Sequence, residues 1–336
     1  MANEFKGKHF LTCNNWTKDE LDTVFNTAFD LKDKFKKEEP TRYLRDKTLF
    51  MIFFEQSTRT RNSMEAGMTQ LGGHAHDLTA DKMQLSHGES AKDTAIILSR
   101  MGHGIASRNC FYGIGYRYLS EMAAHSTKPI MSLQDDIYHP FQGLADLMTI
   151  FEYFGKDTKG LKVTISWAYA DTHSKPLSVP QTQALLFPRY GIDLMIANPE
   201  EFPLSQDILE RAEKNAKSGG GSVRIVNDMN EAFEGAQIVI PKNWGGFGAY
   251  SVEDYLNNED KCKKEIKVNL EKYKGWICDD KRIKLADKNV KLMHALPADR
   301  GHEVTDEIID NPDISIVYDE AENRLHTAKS IMSLTM

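Results

Sequence analysis

The sequence predicts an α/β protein made of two doubly wound domains, each with a parallel sheet. Three observations carry that prediction. Short apolar runs of strand length alternate with stretches of helical periodicity, and the alternation restarts after Gly160. No internal repeat or low-complexity tract interrupts it. Clusters of hydroxyl, arginine and histidine side chains stand at the carboxyl ends of the apolar runs, where such sheets bind ligands.

At 336 residues the chain is long for one core and comfortable for two domains. Charged residues make up 27%, with 49 acidic against 42 basic and a formal net charge of −7. That balance argues against nucleic acid or an anionic membrane surface as the main partner, while leaving room for a local basic pocket. The residues from Met1 to His9 are polar and have no signal-peptide core. No apolar run approaches the ~20 residues needed to span a bilayer. Cys13, Cys110, Cys262 and Cys278 lack metal-type spacing and read as free thiols in a reducing cytoplasm.

In chain order, Lys18 to Lys37 places Leu21, Val24, Phe25, Ala28 and Leu31 on one helical face, with Thr17 as cap. A strand at about Thr48 to Phe54 leads into Ser57-Thr58-Arg59-Thr60-Arg61 and a helix from Asn62 to Gly72. A short strand at His76 to Leu78, a polar loop from Asp81 to Ser90 and a helix from Ala91 to Met101 follow. Gly102 to Arg108 ends as a strand, and Pro129 to Leu133 is another. Gly143 to Phe154, rich in Leu, Met, Ile and aromatics, is expected as the helix bridging two halves.

The second half opens with a strand from Leu161 to Trp167. Ala170 to Gln183 carries Pro176 and Pro180 where a crossover helix should begin, so helix is expected only over Ala184 to Tyr190. Further strands are expected at Leu194–Ala197, Val223–Val226, Gln237–Pro241, Lys291–Ala295 and Ser315–Tyr318. Helices are expected at Ser205–Ser218, Met229–Phe233 and Glu320–Met336.

A strand ending in a hydroxyl-rich turn that opens a helix is a device for holding an anion. The first helical N–H groups lack internal partners and carry partial positive charge. Ser57, Thr58 and Thr60 add hydroxyl donors, and Arg59 adds a guanidinium fork. Arg108, His139-Pro140-Phe141-Gln142 and His294-Ala295-Leu296-Pro297 also follow strands. Taken singly, each has an ordinary explanation: a helix cap, a surface ion pair, a polar group beside a proline turn.

Together and in this order, these segments resemble the transcarbamylase family, whose members move a carbamoyl group from carbamoyl phosphate to an amine. The matching stretches are Phe53–Gly73, Gln84–Thr94, Gly104–Arg108, His139–Asp146, Met293–Pro297 and Asp319–Met332, nearly the whole chain. The resemblance implies that Ser57, Thr58, Arg59 and Thr60 hold the phosphate, with Arg324 as a further contact. Arg108 bridges phosphate and carbonyl oxygen, and Thr60 and His139 help polarise that carbonyl. Gln142 and the Leu296 carbonyl accept from the carbamoyl NH₂. Gln84, with His87, matches a loop lent to a neighbouring subunit's site, which implies a homotrimer or a dimer of trimers. The family's chemistry is direct attack by a neutral amine, so neither metal, cofactor nor covalent intermediate is expected.

The resemblance also implies a domain at residues 1–152 that binds carbamoyl phosphate, with helix 320–336 packed back on it. An acceptor domain spans 153–319. The acceptor is expected to be an amine or ureido compound of amino-acid type, met by Trp167, Lys175, Leu177, Ser178, Lys242, Trp244, Ala295 and Leu296. Ornithine enzymes carry an Asp…Ser-Met-Gly motif where this chain reads Ile240 to Gly246. Aspartate enzymes carry His-Pro-Leu-Pro-Arg where it reads His294-Ala295-Leu296-Pro297-Ala298. Both acceptors are therefore disfavoured. The proline-rich stretch with Lys242-Asn243-Trp244 resembles the knotted branch that uses acylated ornithine. That branch's cysteine is replaced by Ala295, and its following arginine by Asp299. The best match is that branch's group without an assigned acceptor. A carbamoyl-phosphate sensor is a distinct possibility, but it has less use for His139 and Gln142. A dinucleotide site is set aside, because Tyr112-Gly113-Ile114-Gly115-Tyr116 lacks the strand and acid of that fingerprint.

Overall fold

The computed structural model describes residues 4–84, 88–172 and 175–336. Two compact units make up the chain. One runs to Met148 and takes up Glu322–Met336, and the other is Thr149–Ala321.

In the first unit the order is α1 (Lys18–Lys36), β1 (Thr48–Phe53), α2 (Arg59–Gln70), β2 (His74–Thr79), α3 (Ala91–Met101), β3 (Gly104–Asn109), α4 (Gly115–His125), β4 (Ile130–Asp135) and α5 (Pro140–Phe154). The strands form one parallel sheet in the order β2-β1-β3-β4. β1 is buried along Leu49–Phe53, as a central parallel strand covered on both faces must be. The polar sequence of β2 fits an edge. Thr17 and Glu20 close a capping box on α1, whose buried residues include the five expected apolar ones.

The second unit continues with β5 (Lys162–Trp167), α6 (Ser178–Leu186), β6 (Asp193–Ala197), α7 (Gln206–Gly219), β7 (Ser222–Val226), α8 (Met229–Phe233), β8 (Ile238–Lys242), α9 (Val252–Asn257), α10 (Glu259–Leu270), α11 (Asp280–Ile283), β9 (Lys291–Leu292), α12 (Asp306–Ile309) and α13 (Val317–Thr335). Its sheet is parallel in the order β7-β6-β5-β8-β9. In both sheets the first strand is central and the order reverses beside it. The switch points therefore lie between β1 and β3 and between β5 and β8.

Three element expectations are corrected. Helix α6 begins at Ser178, not Ala184, because Pro180 falls in its first turn, where a missing N–H breaks no intrahelical bond. The strand at Lys291 stops at Leu292. Ser315 makes only a single bridge to Leu292, and the chain from Val317 is already helical. Tyr112 to Tyr116 is a turn into α4: the Asp136 carboxylate accepts from Gly113 N at 2.7 Å and Tyr116 N at 2.8 Å. Glycine is required at 115, since a Cβ would sit 1.9 Å from the Asn109 carbonyl oxygen. All four cysteines are free thiols. No described helix is long and apolar enough to cross a membrane.

Candidate active site

In the first unit, polar side chains gather at the carboxyl ends of β1, β3 and β4. After β1 the chain turns through Ser57 and Thr58 into α2, and Thr58 is its N-cap but makes no side-chain cap bond. The hydroxyl at the mouth of this helix is therefore not spent on its own backbone. Thr60 is buried one position into the helix. Arg61 points elsewhere, paired with Asp77 and lying 4.0 Å over the Phe53 ring.

Arg108 stands near the end of β3 at a slip in register. Ser107 pairs with Ser132, but Arg108 pairs with Gln134, so Leu133 is skipped. Such irregularities re-aim side chains beside sites. The Arg108 Nε lies 3.9 Å from Glu55 Oε2, and neither atom has a hydrogen-bond partner among the described residues. Glu55 is fixed through its other oxygen, which accepts from Cys110 N at 2.9 Å. Burial pushes the Glu55 carboxyl up, against the pull of the Cys110 amide and the Arg108 charge.

After β4, the Asp135 carboxylate accepts from Ser132 Oγ (2.6 Å), Ile137 N (2.9 Å) and Tyr138 N (2.7 Å). That local turn delivers His139 to the start of α5, where its carbonyl accepts from Gln142 N and Gly143 N. His139 is buried. Its pKa is held well below the ordinary histidine value, first by burial and then by the charges of Arg324, Arg108 and Arg59. Three guanidinium charges thus act on one neutral imidazole, a field suited to an anion.

Arg324, on α13, closes the group. Its Nη2 donates to Thr60 Oγ1 at 2.7 Å and its Nη1 donates to Gln142 Oε1. Gln142 Nε2 donates to Asp146 at 2.6 Å, so its carbonyl oxygen faces the arginine. The structure brings Thr60, Gln142 and Arg324 into contact and sets His139 within the charge of Arg59, Arg108 and Arg324. Gln84 is exposed, and His87 lies outside the described residues.

The second unit has its own polar cluster where β8 ends. Glu303, fully buried, accepts from Lys242 Nζ at 3.0 Å and Asn243 N at 2.6 Å through Oε1. Its Oε2 accepts from Asp299 N at 2.7 Å and lies 3.1 Å from His294 Nε2. Lys175 Nζ donates to Asp299 at 2.8 Å and stands 3.2 Å from Glu303. Burial lowers the Lys242 pKa while Glu303 raises it, and the neighbouring cations hold the Glu303 carboxyl well below the usual range despite its burial.

Of the expected acceptor contacts, Lys175 and Lys242 belong to this cluster, and Ala295 and Leu296 adjoin it through His294. Trp167 lies beside Lys242 in the sheet, and Trp244 follows Lys242 by two residues. Both are fully buried, with Trp167 Nε1 donating to the Trp244 carbonyl and Trp244 Nε1 to that of Phe202, each at 2.9 Å. Large aromatic surfaces with satisfied N–H groups belong in a core. Leu177 and Ser178 are also buried, at the start of α6. Arg300, next to Asp299, is held by Asp306 and Asp310 at 2.7 Å each. Glu303 was missed from the sequence. The available signal was an acid nine residues after His294 at a strand end.

Residues 8–152 match the family described as aspartate/ornithine carbamoyltransferase, carbamoyl-P binding domain. Residues 161–335 match its Asp/Orn binding domain. The ornithine carbamoyltransferase of Halalkalibacterium halodurans is 35% identical over 328 residues, covering 98% of this chain and 95% of that one. The structure of ornithine carbamoyltransferase from Pyrococcus furiosus superposes with a TM-score of 0.85 at 33% identity, covering 99% of this chain and 98% of that one. An N-acetyl-L-ornithine transcarbamylase variant complexed with carbamyl phosphate and N-succinyl-L-norvaline gives a TM-score of 0.86 at 29% identity. That match covers 98% of this chain and 100% of the other.

Proposed function

Because the chain belongs to the aspartate/ornithine carbamoyltransferase family, we propose that its first unit binds carbamoyl phosphate and its second an amine of amino-acid type. The observation that carries this is Arg324 joined to Thr60 and Gln142 beside a neutral, arginine-surrounded His139.

In this reading the open start of α2, with the Ser57 and Thr58 hydroxyls, takes the phosphate, and Arg59, Arg108 and Arg324 offset its charge. The carbamoyl oxygen accepts from Thr60, Arg108 and His139. Gln142 Oε1, oriented by Asp146, and the Leu296 carbonyl accept from the carbamoyl NH₂. The amine nitrogen forms a bond to the carbamoyl carbon, and charge grows on the carbonyl oxygen that these donors face. The carbon–oxygen bond to phosphate then breaks, and the proton lost by nitrogen leaves with phosphate. Run backwards, the same site cleaves a ureido compound with phosphate.

The acceptor in this reading is neither ornithine nor aspartate. Support comes from the end of β8, where Asn243 is tied to Glu303 and the Ala168 carbonyl and Trp244 lies in the core, leaving no Asp…Ser-Met-Gly segment. N-acyl-ornithine is the second reading, favoured by the likeness to N-acetyl-L-ornithine transcarbamylase. The same likeness supports the knotted branch, and the Gln84 loop supports a trimer with shared sites.

The test is phosphate release from carbamoyl phosphate with a panel holding ornithine, N-acetylornithine, aspartate, short diamines and other diamino acids. Release with a diamino acid outside the named pair supports the reading. Turnover with ornithine alone overturns its acceptor, and no release with any amine overturns the activity.

A further inference from the structure

We propose that Glu303 is the positioning residue of the acceptor half of the site: one buried carboxylate that fixes both the Lys242 ammonium and the backbone turn at Leu296. The inference rests on the functional reading above, which gives the Leu296 carbonyl to the carbamoyl NH₂ and the second unit to the acceptor.

Every hydrogen-bonding direction of this carboxylate is used on groups at the ends of β8 and β9. One oxygen takes Lys242 Nζ and Asn243 N, and so fixes the chain leaving β8. The other takes Asp299 N and the His294 ring. His294 Nδ1 accepts from Leu296 N at 2.8 Å. Its proton is therefore on Nε2, aimed at Glu303, and the imidazole is neutral, as its lowered pKa from burial agrees. The His294 backbone N is pinned in turn by Glu320 at 2.7 Å.

Leu296 needs this support. Its φ is +43°, a left-handed conformation disfavoured for a branched side chain, which persists only when its surroundings over-determine it. The chain Glu303–His294–Leu296 supplies that determination and sets where the Leu296 carbonyl points. The charged groups facing Lys242 are Glu303, Lys175 and Asp299. Of these, Glu303 alone is an anion bonded to Lys242, while Asp299 pairs with the half-buried Lys175. Glu303 is thus the bonded anion that opposes the effect of burial on the Lys242 ammonium.

Glu303→Gln tests this, since an amide removes the charge and sets an NH₂ against donors on one side. Competitive acetylation of the lysines across pH, read by mass spectrometry with acetic anhydride as probe, reports the Lys242 titration without any acceptor. The titration midpoint of Lys242 should fall by at least one pH unit in Glu303→Gln and stay within half a unit of the parent in Glu303→Asp. Carbamoyl phosphate affinity should fall by less than tenfold, since of its assigned contacts only the Leu296 carbonyl depends on Glu303. With the best amine of the panel, KM should rise tenfold or more in Glu303→Gln. An unmoved Lys242 midpoint, or an unmoved KM, overturns the proposal. Should Glu303→Gln not fold, imidazole nitrogen NMR of the parent protein decides: a neutral His294 with its proton on Nε2 is required, and the other tautomer or an imidazolium overturns it. Because labelling and NMR need no turnover, failure of the carbamoyl-transfer reading shows separately, as absence of phosphate release by the parent.

Discussion

Arg324 Nη2 donates to Thr60 Oγ1 at 2.7 Å across 264 positions of sequence. The last helix thereby completes a cluster begun by the first strand, while Lys32 to Asn323 (2.8 Å) and Ser330 to the Val24 carbonyl (2.7 Å) hold that helix against α1. Arg324→Ala should weaken carbamoyl phosphate binding at least tenfold, since a hydrogen bond to a charged group is worth about 1.5–3 kcal/mol. Arg324→Lys should recover only part, because an ammonium lacks the fork that reaches Thr60 and Gln142 together. Calorimetric titration with carbamoyl phosphate measures both, and parental affinity in Arg324→Ala counts against the cluster as a binding site.

Arg59→Ala and Arg108→Ala should each cost roughly tenfold or more in the same titration, because each removes a charge that already bears on His139. Arg108→Ala should also lower kcat, as its guanidinium is the one assigned to the carbonyl oxygen. If binding weakens with no change in kcat, Arg108 holds phosphate alone.

The pH dependence of His139 follows from burial and the three arginines, which depress its pKa well below 6.5. Above pH 6.5 both folded and unfolded chains carry it neutral. As pH falls below 6.5 the unfolded chain takes a proton that the folded chain refuses, so stability is lost on acidification. His139→Ala should remove that share of the acid sensitivity. It should also lower kcat on the order of 10²-fold while shifting carbamoyl phosphate affinity far less, as expected for a group acting on developing charge. Parental kcat should show no acid limb at pH 6.5. Thermal melts between pH 7 and 5, with kcat over the same range, provide the check, and an acid limb centred at 6.5 contradicts a pre-neutralised imidazole.

The proposed sharing of each site between neighbouring subunits makes subunit mixing informative. Gln84→Ala and Arg108→Ala should each have low activity alone. Trimers reassembled from a mixture should regain a measurable fraction of parental turnover, because some sites receive an intact Gln84 from one chain and an intact Arg108 from another. No recovery on mixing, or full activity of a monomer at high dilution, rules out the lent loop.

Strand–helix alternation was legible because parallel strands covered on both faces are predominantly apolar, wholly so at Leu49–Phe53 and with buried Thr164 and Ser166 at Val163–Trp167. The polar cluster of the first unit was legible because its members sit at strand ends in motifs such as Ser57–Thr60 and His139–Gln142. Helix α6 was obscured by Pro180, since a sequence does not say whether a proline opens a helix or forbids one. The burial of Trp167 and Trp244 was not legible, because aromatic residues at strand ends suit either a ligand or a core. Glu303 carried no motif of its own. Its weight comes from five groups that converge on one carboxylate, among them Lys175 and Lys242 from distant parts of the chain.

In the proposed reaction carbamoyl moves from phosphate to an amine at the Arg108–His139–Arg324 cluster. The most direct test follows ¹³C-carbamoyl phosphate by NMR in the presence of the amine panel. An amine-dependent ureido carbon signal matched mole for mole by released phosphate is expected, and neither in Arg108→Ala. Label that passes only to bicarbonate and cyanate at the uncatalysed rate, whatever amine is present, would contradict it.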